Sequence, residues 1–235
     1  MRFIWPVLRE SVIYFWEELF YLLIYNIIVL LTLVPGAIFI SISIQGQVSP
    51  LFYVPVAVIL LSAFPYAIFG LFGTIDQIAD GKAIKISTFF SEGRKLLKQA
   101  YIWWLVNVVV IIILLTNIIF YVNLETQWSG YVTFFFVGIL LTWLLTQVFA
   151  LTFYPKLTEP GFKTASRNAM ALIAIQPIAV VLMGVLALAI IVAGVMIRLI
   201  GLLIMFSLAA TLINMTTHLI LKAQQKAQAE ANVER

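Results

Sequence analysis

Apolar residues fill the chain in long blocks, and polar ones gather between the blocks. No charged residue occurs from Leu19 to Ile75. One membrane crossing needs roughly 20 apolar residues, so this block holds two spans, 19–44 and 51–75, joined by QGQVSP. Further spans are expected at about 101–122 and 131–154, separated by NLETQWSG. A final apolar stretch splits near Arg198 into 172–197 and 199–221. The pattern predicts an all-α polytopic membrane protein, a single domain over 1–235 with six transmembrane helices arranged as three hairpins. Residues 222–235 are expected to form a cytoplasmic tail.

Some of the segments between spans have a helical period of their own. On a helix over 1–18, Arg2, Arg9, Glu10 and Glu17 share one side, with Ile4, Leu8, Val12 and Phe15 among the residues opposite. That pattern suits an interfacial helix feeding the first span. In STFFSEGRKLLKQA (87–100) and the residue before it, Ile86, Phe89, Phe90, Gly93, Leu96, Leu97 and Ala100 recur at i, i+3, i+4, i+7. Lys85, Ser91, Glu92, Arg94, Lys95, Lys98 and Gln99 take the remaining positions, and Ser87 is the expected N-cap. This reads as an amphipathic helix with its phenylalanines in lipid and its lysines toward anionic headgroups. Phenylalanines on the lipid side cannot stack on bases beside those lysines, so nucleic acid is not an expected partner. The expected docking residues are Phe89, Phe90, Arg94, Lys95, Leu97 and Lys98.

Composition supports the membrane class: 63% of the 235 residues are hydrophobic and 10% are charged. A soluble domain has about a quarter of its residues charged. The placement of the 14 lysines and arginines matters more than the net charge of +4. The N-terminal segment, 76–100, 155–169 and the C-terminal tail hold 2, 5, 3 and 3 of them, and the opposite loops hold only Arg198. By the positive-inside rule both termini are expected in the cytoplasm of a bacterial inner membrane. Trp103, Trp104, Trp128, Tyr131 and Tyr154 fall near span ends, as an aromatic belt requires. The first 18 residues carry Glu10, Glu17 and Glu18 and no small-residue cleavage site, unlike a cleaved signal.

Candidate chemistry is sparse. Cysteine is absent, and no P-loop, nucleophile elbow or zinc-protease motif occurs. The single histidine, His218, reads as a hydrogen-bonded interface residue, because metal sites need clustered ligands. Asp76 and Asp80, four apart on one face, read as a solvated helix end. Arg198 is expected to snorkel to headgroups, and Glu125 to sit in a loop. No cofactor or metal is expected.

Uncharged polar groups run through the spans. Asn26, Asn107, Gln147, Gln176 and Asn214 are the candidate intramembrane contacts, with Asn117, Thr142, Thr146 and Thr211 alongside. They can bridge helices at about 0.6 kcal/mol each or line a path for a neutral solute. Pro35 and Pro65 are the candidate kinks, and Pro55 lies within a span as well. A short threefold likeness links FYLLIYN (20–26), YIWWLVN (101–107) and ALIAIQP (171–177). The pair Asp80-Gly81 has a counterpart 80 residues later in Pro160-Gly161.

Four segments carry a family resemblance: Asn26 followed by LVPGA with Pro35, FFSEGRKLLKQA with Phe89, Phe90 and Arg94, FYPKL with Tyr154, Pro155 and Lys156, and ALIAIQP ending at Pro177. Over roughly residues 15–200 the chain resembles the bacterial YesL family of integral membrane proteins. It departs at Pro35-Gly36-Ala37, where the family usually has Thr-Gly after the proline. The resemblance implies an inner-membrane protein without an established activity that accompanies carbohydrate-uptake systems. It supplies no catalytic residues.

The leading expectation is a non-enzymatic membrane accessory protein, with a channel or facilitator for a small neutral solute as the alternative. Expected partners are the anionic headgroups of the bilayer, a membrane transporter or other protein subunit, and a second copy of the chain.

Overall fold

A computed structural model describes residues 4–124, 126–197 and 199–233. Arg2 of the first surface helix, Glu125 of the loop and Arg198 between the last two spans lie outside the described residues. The described residues form α1 (Ile4–Glu17), α2 (Leu19–Gln45), α3 (Pro50–Leu60), α4 (Phe64–Ala79), α5 (Ile86–Lys95), α6 (Leu97–Val122) and α7 (Ser129–Leu151). A single 3-10 turn follows at Tyr154–Lys156, then α8 (Phe162–Ile175), α9 (Pro177–Met196) and α10 (Leu199–Val233). There is no strand among them.

Five helices are long and apolar enough to cross a membrane, six when the bent pair α3–α4 counts as one span. Their outer faces stay apolar: Leu51, Phe134 and Ile178 are each at least 78% exposed. A water-soluble fold does not leave such contiguous surface bare, so these helices read as membrane spans.

The proline positions divide. Pro65 stands in the first turn of α4, just past a break where α3 and α4 meet at 43°. A proline there lacks only an N–H that the helix would leave unused. Pro35 instead lies inside unbroken α2, and Pro55 inside α3. Next to Pro35, Gly36 exposes bare backbone to the Leu61 side chain, which a Cβ would displace. The break in the second span therefore seats against the first.

Other boundaries move as well. The expected fifth span, 172–197, is interrupted: α8 runs through Leu172 to Ile175, and Pro177 opens α9 after Gln176 leaves helical geometry at φ −135°, ψ 62°. The last helix does not stop at Leu221 but continues to Val233, so the tail is helical that far. Helix α1 buries Val7, Ser11 and Phe15, packing against α10. Val12, expected on the apolar side, is exposed together with Trp5 and Trp16.

Helix α10 is the most enclosed span, and α4 is buried along most of its length. Contacts follow a cyclic order. The helix α2 packs on α10, α6 on α4, and α9 on α7. The shorter helices repeat it: α5 packs on α4 before leading into α6, α8 on α7 before α9, and α1 on α10 before α2.

The contact between α4 and α5 is built on glycine. A Cβ at Gly70 would stand 2.7 Å from the Phe89 carbonyl oxygen, and one at Gly73 would stand 2.8 Å from Glu92 Cβ. From the other side, a Cβ at Gly93 would meet Tyr66 Cε2 at 2.9 Å. Between them the chain turns at Gly81, whose φ of 70° suits glycine alone at low cost. There Gly81 N–H donates to the Ile78 carbonyl and Lys82 N–H to Gln77, the Schellman closure of a helix end. Its proposed counterpart differs: Gly161 has φ −149° and precedes the start of α8.

Candidate functional site

The first charged residue beyond each uncharged block has to find water or a partner, because an isolated charge in an apolar setting is costly. Asp76, at the end of α4, is buried and pairs with Lys156 of the 3-10 turn. The exposures of the two side chains are 12% and 21%. Asp76 is thus not the solvated helix end expected of it. Asp80 does match that expectation, exposed and paired with Lys82 at 2.9 Å.

A cavity of about 530 Å³ opens beside this pair, where α4, α5, the 3-10 turn and α10 converge. From α5, Glu92 reaches in and is also buried. Gln77 Nε2 donates to its Oε1 at 2.8 Å, and Lys95 lies 3.7 Å from its Oε2. Helix α10 contributes His218, Lys222 and Gln225. Each carboxylate of the lining has a cation or an amide donor beside it. A second cavity of similar volume lies among α4, α7, α9 and α10 around Phe72, Leu145 and Ile213, and its lining is almost wholly apolar.

The expected docking residues separate into two sets. Phe89 is fully buried, its ring stacked on Tyr25 at 5.0 Å, and so does not lie in a lipid-facing stripe. Phe90, Arg94, Lys95, Leu97 and Lys98 are exposed. The inward residues are Phe89, Glu92 and Gly93 of α5, Leu96 at the junction and Ala100 of α6, a stripe rotated from the expected one. Tyr25 and Tyr66 hold the segment down, donating to the carbonyls of Lys85 and Phe90 at 2.8 and 2.9 Å. The helix starts after Lys85, so that residue rather than Ser87 is the N-cap.

The buried amides are taken up mainly as fasteners. Asn26 Nδ2 donates to the Leu202 carbonyl at 2.6 Å, while its Oδ1 accepts from the Phe206 and Ser207 amides at 2.8 and 3.2 Å. Leu202 O and Phe206 N are the i−4 and i groups of one α-helical rung, so Asn26 clamps α10 from the side. Asn107 accepts from Trp143 Nε1 at 3.0 Å and donates to Gln147 at 3.4 Å. Gln147 in turn donates to Ser166 Oγ at 3.4 Å, tying α6, α7 and α8 together. Asn117, Thr142, Thr146 and Thr211 donate to carbonyls of their own helices.

Two amides behave otherwise. Gln176 is exposed at the α8–α9 break rather than bridging helices. Asn214 is fully buried, and neither its Nδ2 nor its Oδ1 meets a hydrogen-bonding partner among the described residues. Sequence reasoning missed the Asp76–Lys156 pair, buried Glu92 and the convergence on α10. Its available signals were the opposite signs of Asp76 and Lys156 and their shared place at the end of uncharged runs.

Comparison of the chain with protein-family models, with curated proteins and with solved structures finds no match.

Proposed function

We propose that the chain is a non-enzymatic accessory protein of the bacterial cytoplasmic membrane, carrying a rigidly mounted docking helix on its cytoplasmic side. The observation that carries this reading is the division of α5. Phe89 anchors α5 in the bundle, while Phe90 and Arg94 of α5 and the adjoining Leu97 and Lys98 at the start of α6 are exposed. An exposed apolar and cationic face on a fixed support suits anionic headgroups and a partner subunit at the same level.

The six spans form three hairpins in this reading, and the cyclic packing of α1, α5 and α8 on α10, α4 and α7 supports it. The positive residues gathered at the charged end support a cytoplasmic position for that end and for both termini. The buried amides favour the accessory role over a solute path, because Asn26, Asn107 and Gln147 spend their hydrogen bonds between helices. The resemblance to the YesL family points to a membrane transporter, one of carbohydrate uptake, as the partner.

Purification from the native membrane in mild detergent tests the proposal. The wild-type chain is expected to bring down a membrane partner, and Arg94→Glu with Lys98→Glu to release it while the chain stays monodisperse. A wild-type chain that purifies as a bare monomer overturns the docking role.

A further inference from the structure

The polar cavity holds three carboxylates and four lysines. Asp76 is matched by Lys156, Asp80 by Lys82, and Glu92 by Gln77 and Lys95. No carboxylate among the described residues forms an ion pair with the fourth lysine, Lys222. It stands on α10 four residues after His218 and three before Gln225, and that spacing puts all three on one helix face. That face therefore presents an ammonium group, an imidazole and an amide to the space, with no carboxylate of its own. The charges that act on His218 come from several elements: Lys156, Lys222, Asp80 and Glu10 of α1.

We infer that this cavity binds a phosphate-bearing group, held by Lys222, His218 and Gln225. A tetrahedral oxyanion offers several acceptor oxygens to donors that line one cavity from a single helix face, and a charge-assisted hydrogen bond to it is about twice as strong as a neutral one. Lys82, Lys95 and Lys156 are offset by their carboxylates, so the positive charge left over in the lining is that of Lys222. A space of about 530 Å³ exceeds what a lone carboxylate fills. The cavity lies at the charged end of the bundle, so a lipid headgroup and a soluble phosphomonoester are the two sources of such a group.

The protein in dodecyl maltoside, a detergent without phosphate, provides the test. Glycerol 3-phosphate is titrated against its thermal midpoint in one arm, and retention of phosphatidylglycerol is read by native mass spectrometry in the other. Binding of the lipid alone assigns the site to a headgroup, and binding of glycerol 3-phosphate assigns it to a soluble ester. In either case Lys222→Glu should weaken binding about tenfold, the loss expected for one charged hydrogen bond. Lys226→Glu changes net charge equally one turn away, beside Glu230, and should leave binding within twofold. Lys222→Gln serves if the charge reversal fails to purify as a monodisperse species. The inference is overturned if neither ligand binds, or if the Lys222 and Lys226 variants lose binding equally. The readout is independent of the outward face of α5, so the docking proposal can fail without this one.

Discussion

The ammonium group of Lys156 sits where nearly four-fifths of its side chain is covered, and a single carboxylate, that of Asp76, pairs with it. Breaking a covered pair from one side strands the other charge, which costs more than the pair contributes. Asp76→Asn should therefore lower stability by about 3 kcal/mol, read as an earlier midpoint in thermal or SDS unfolding. Removing both charges, as Asp76→Leu with Lys156→Met, should restore most of the loss. An unchanged midpoint for Asp76→Asn would mean that water already solvates Lys156. The pair was half legible in the sequence. Asp76 and Lys156 are each the first charge after an uncharged run, at 19–75 and at 126–155, and Lys222 is the next charged position after Arg198. All three line one cavity. What the sequence did not carry was which inner helices meet, since that depends on contacts far apart along the chain.

At the scale of elements, periodicity found α5 and its apolar stripe but misjudged what the stripe faces. Lipid tails are as apolar as leucine, so a pattern of apolar positions cannot distinguish burial in protein from burial in the bilayer. Phe89 turned out to face Tyr25 and Gly70. The better signal was the spacing of small residues: Gly70 and Gly73 on α4 meet α5, where Gly93 lies against Tyr66. Such residues let two helix backbones approach closely. Gly73→Leu should therefore push Glu92 and α5 outward, costing about 1–3 kcal/mol by overpacking and speeding proteolysis in the 81–85 turn. Gly138→Leu on α7 meets open space and should shift stability by no more than about 0.5 kcal/mol. Equal effects from the two leucines would mean that α5 is not seated on those glycines. Gln176 shows the opposite failure: an amide placed in a span by its apolar neighbours lies instead at a helix break, because Pro177 opens a new helix there.

For the whole molecule, the bent pair α3–α4 fits by length and composition either one broken span or a re-entrant loop. The two options differ in sidedness. As a span, α3–α4 puts Gln47 and Lys82 on opposite faces of the membrane; as a re-entrant loop, it returns them to the same face. The positive-inside rule favours the span, because five lysines and arginines lie in 76–100 and none in the QGQVSP loop. The cyclic packing agrees, since α4 then takes the same place relative to α5 and α6 as α7 takes relative to α8 and α9. The chain contains no cysteine, so each engineered thiol is the sole target of a membrane-impermeant maleimide. In intact bacterial cells, Gln47→Cys and Asn123→Cys should label from outside, whereas Lys82→Cys and Lys226→Cys should label only after permeabilisation. Labelling of Gln47→Cys only after permeabilisation, with Asn123→Cys still labelled from outside, would reassign α3–α4 as re-entrant. It would also move the N-terminus to the outer face, and with it α1, whose Trp5 and Trp16 would then anchor in the opposite leaflet.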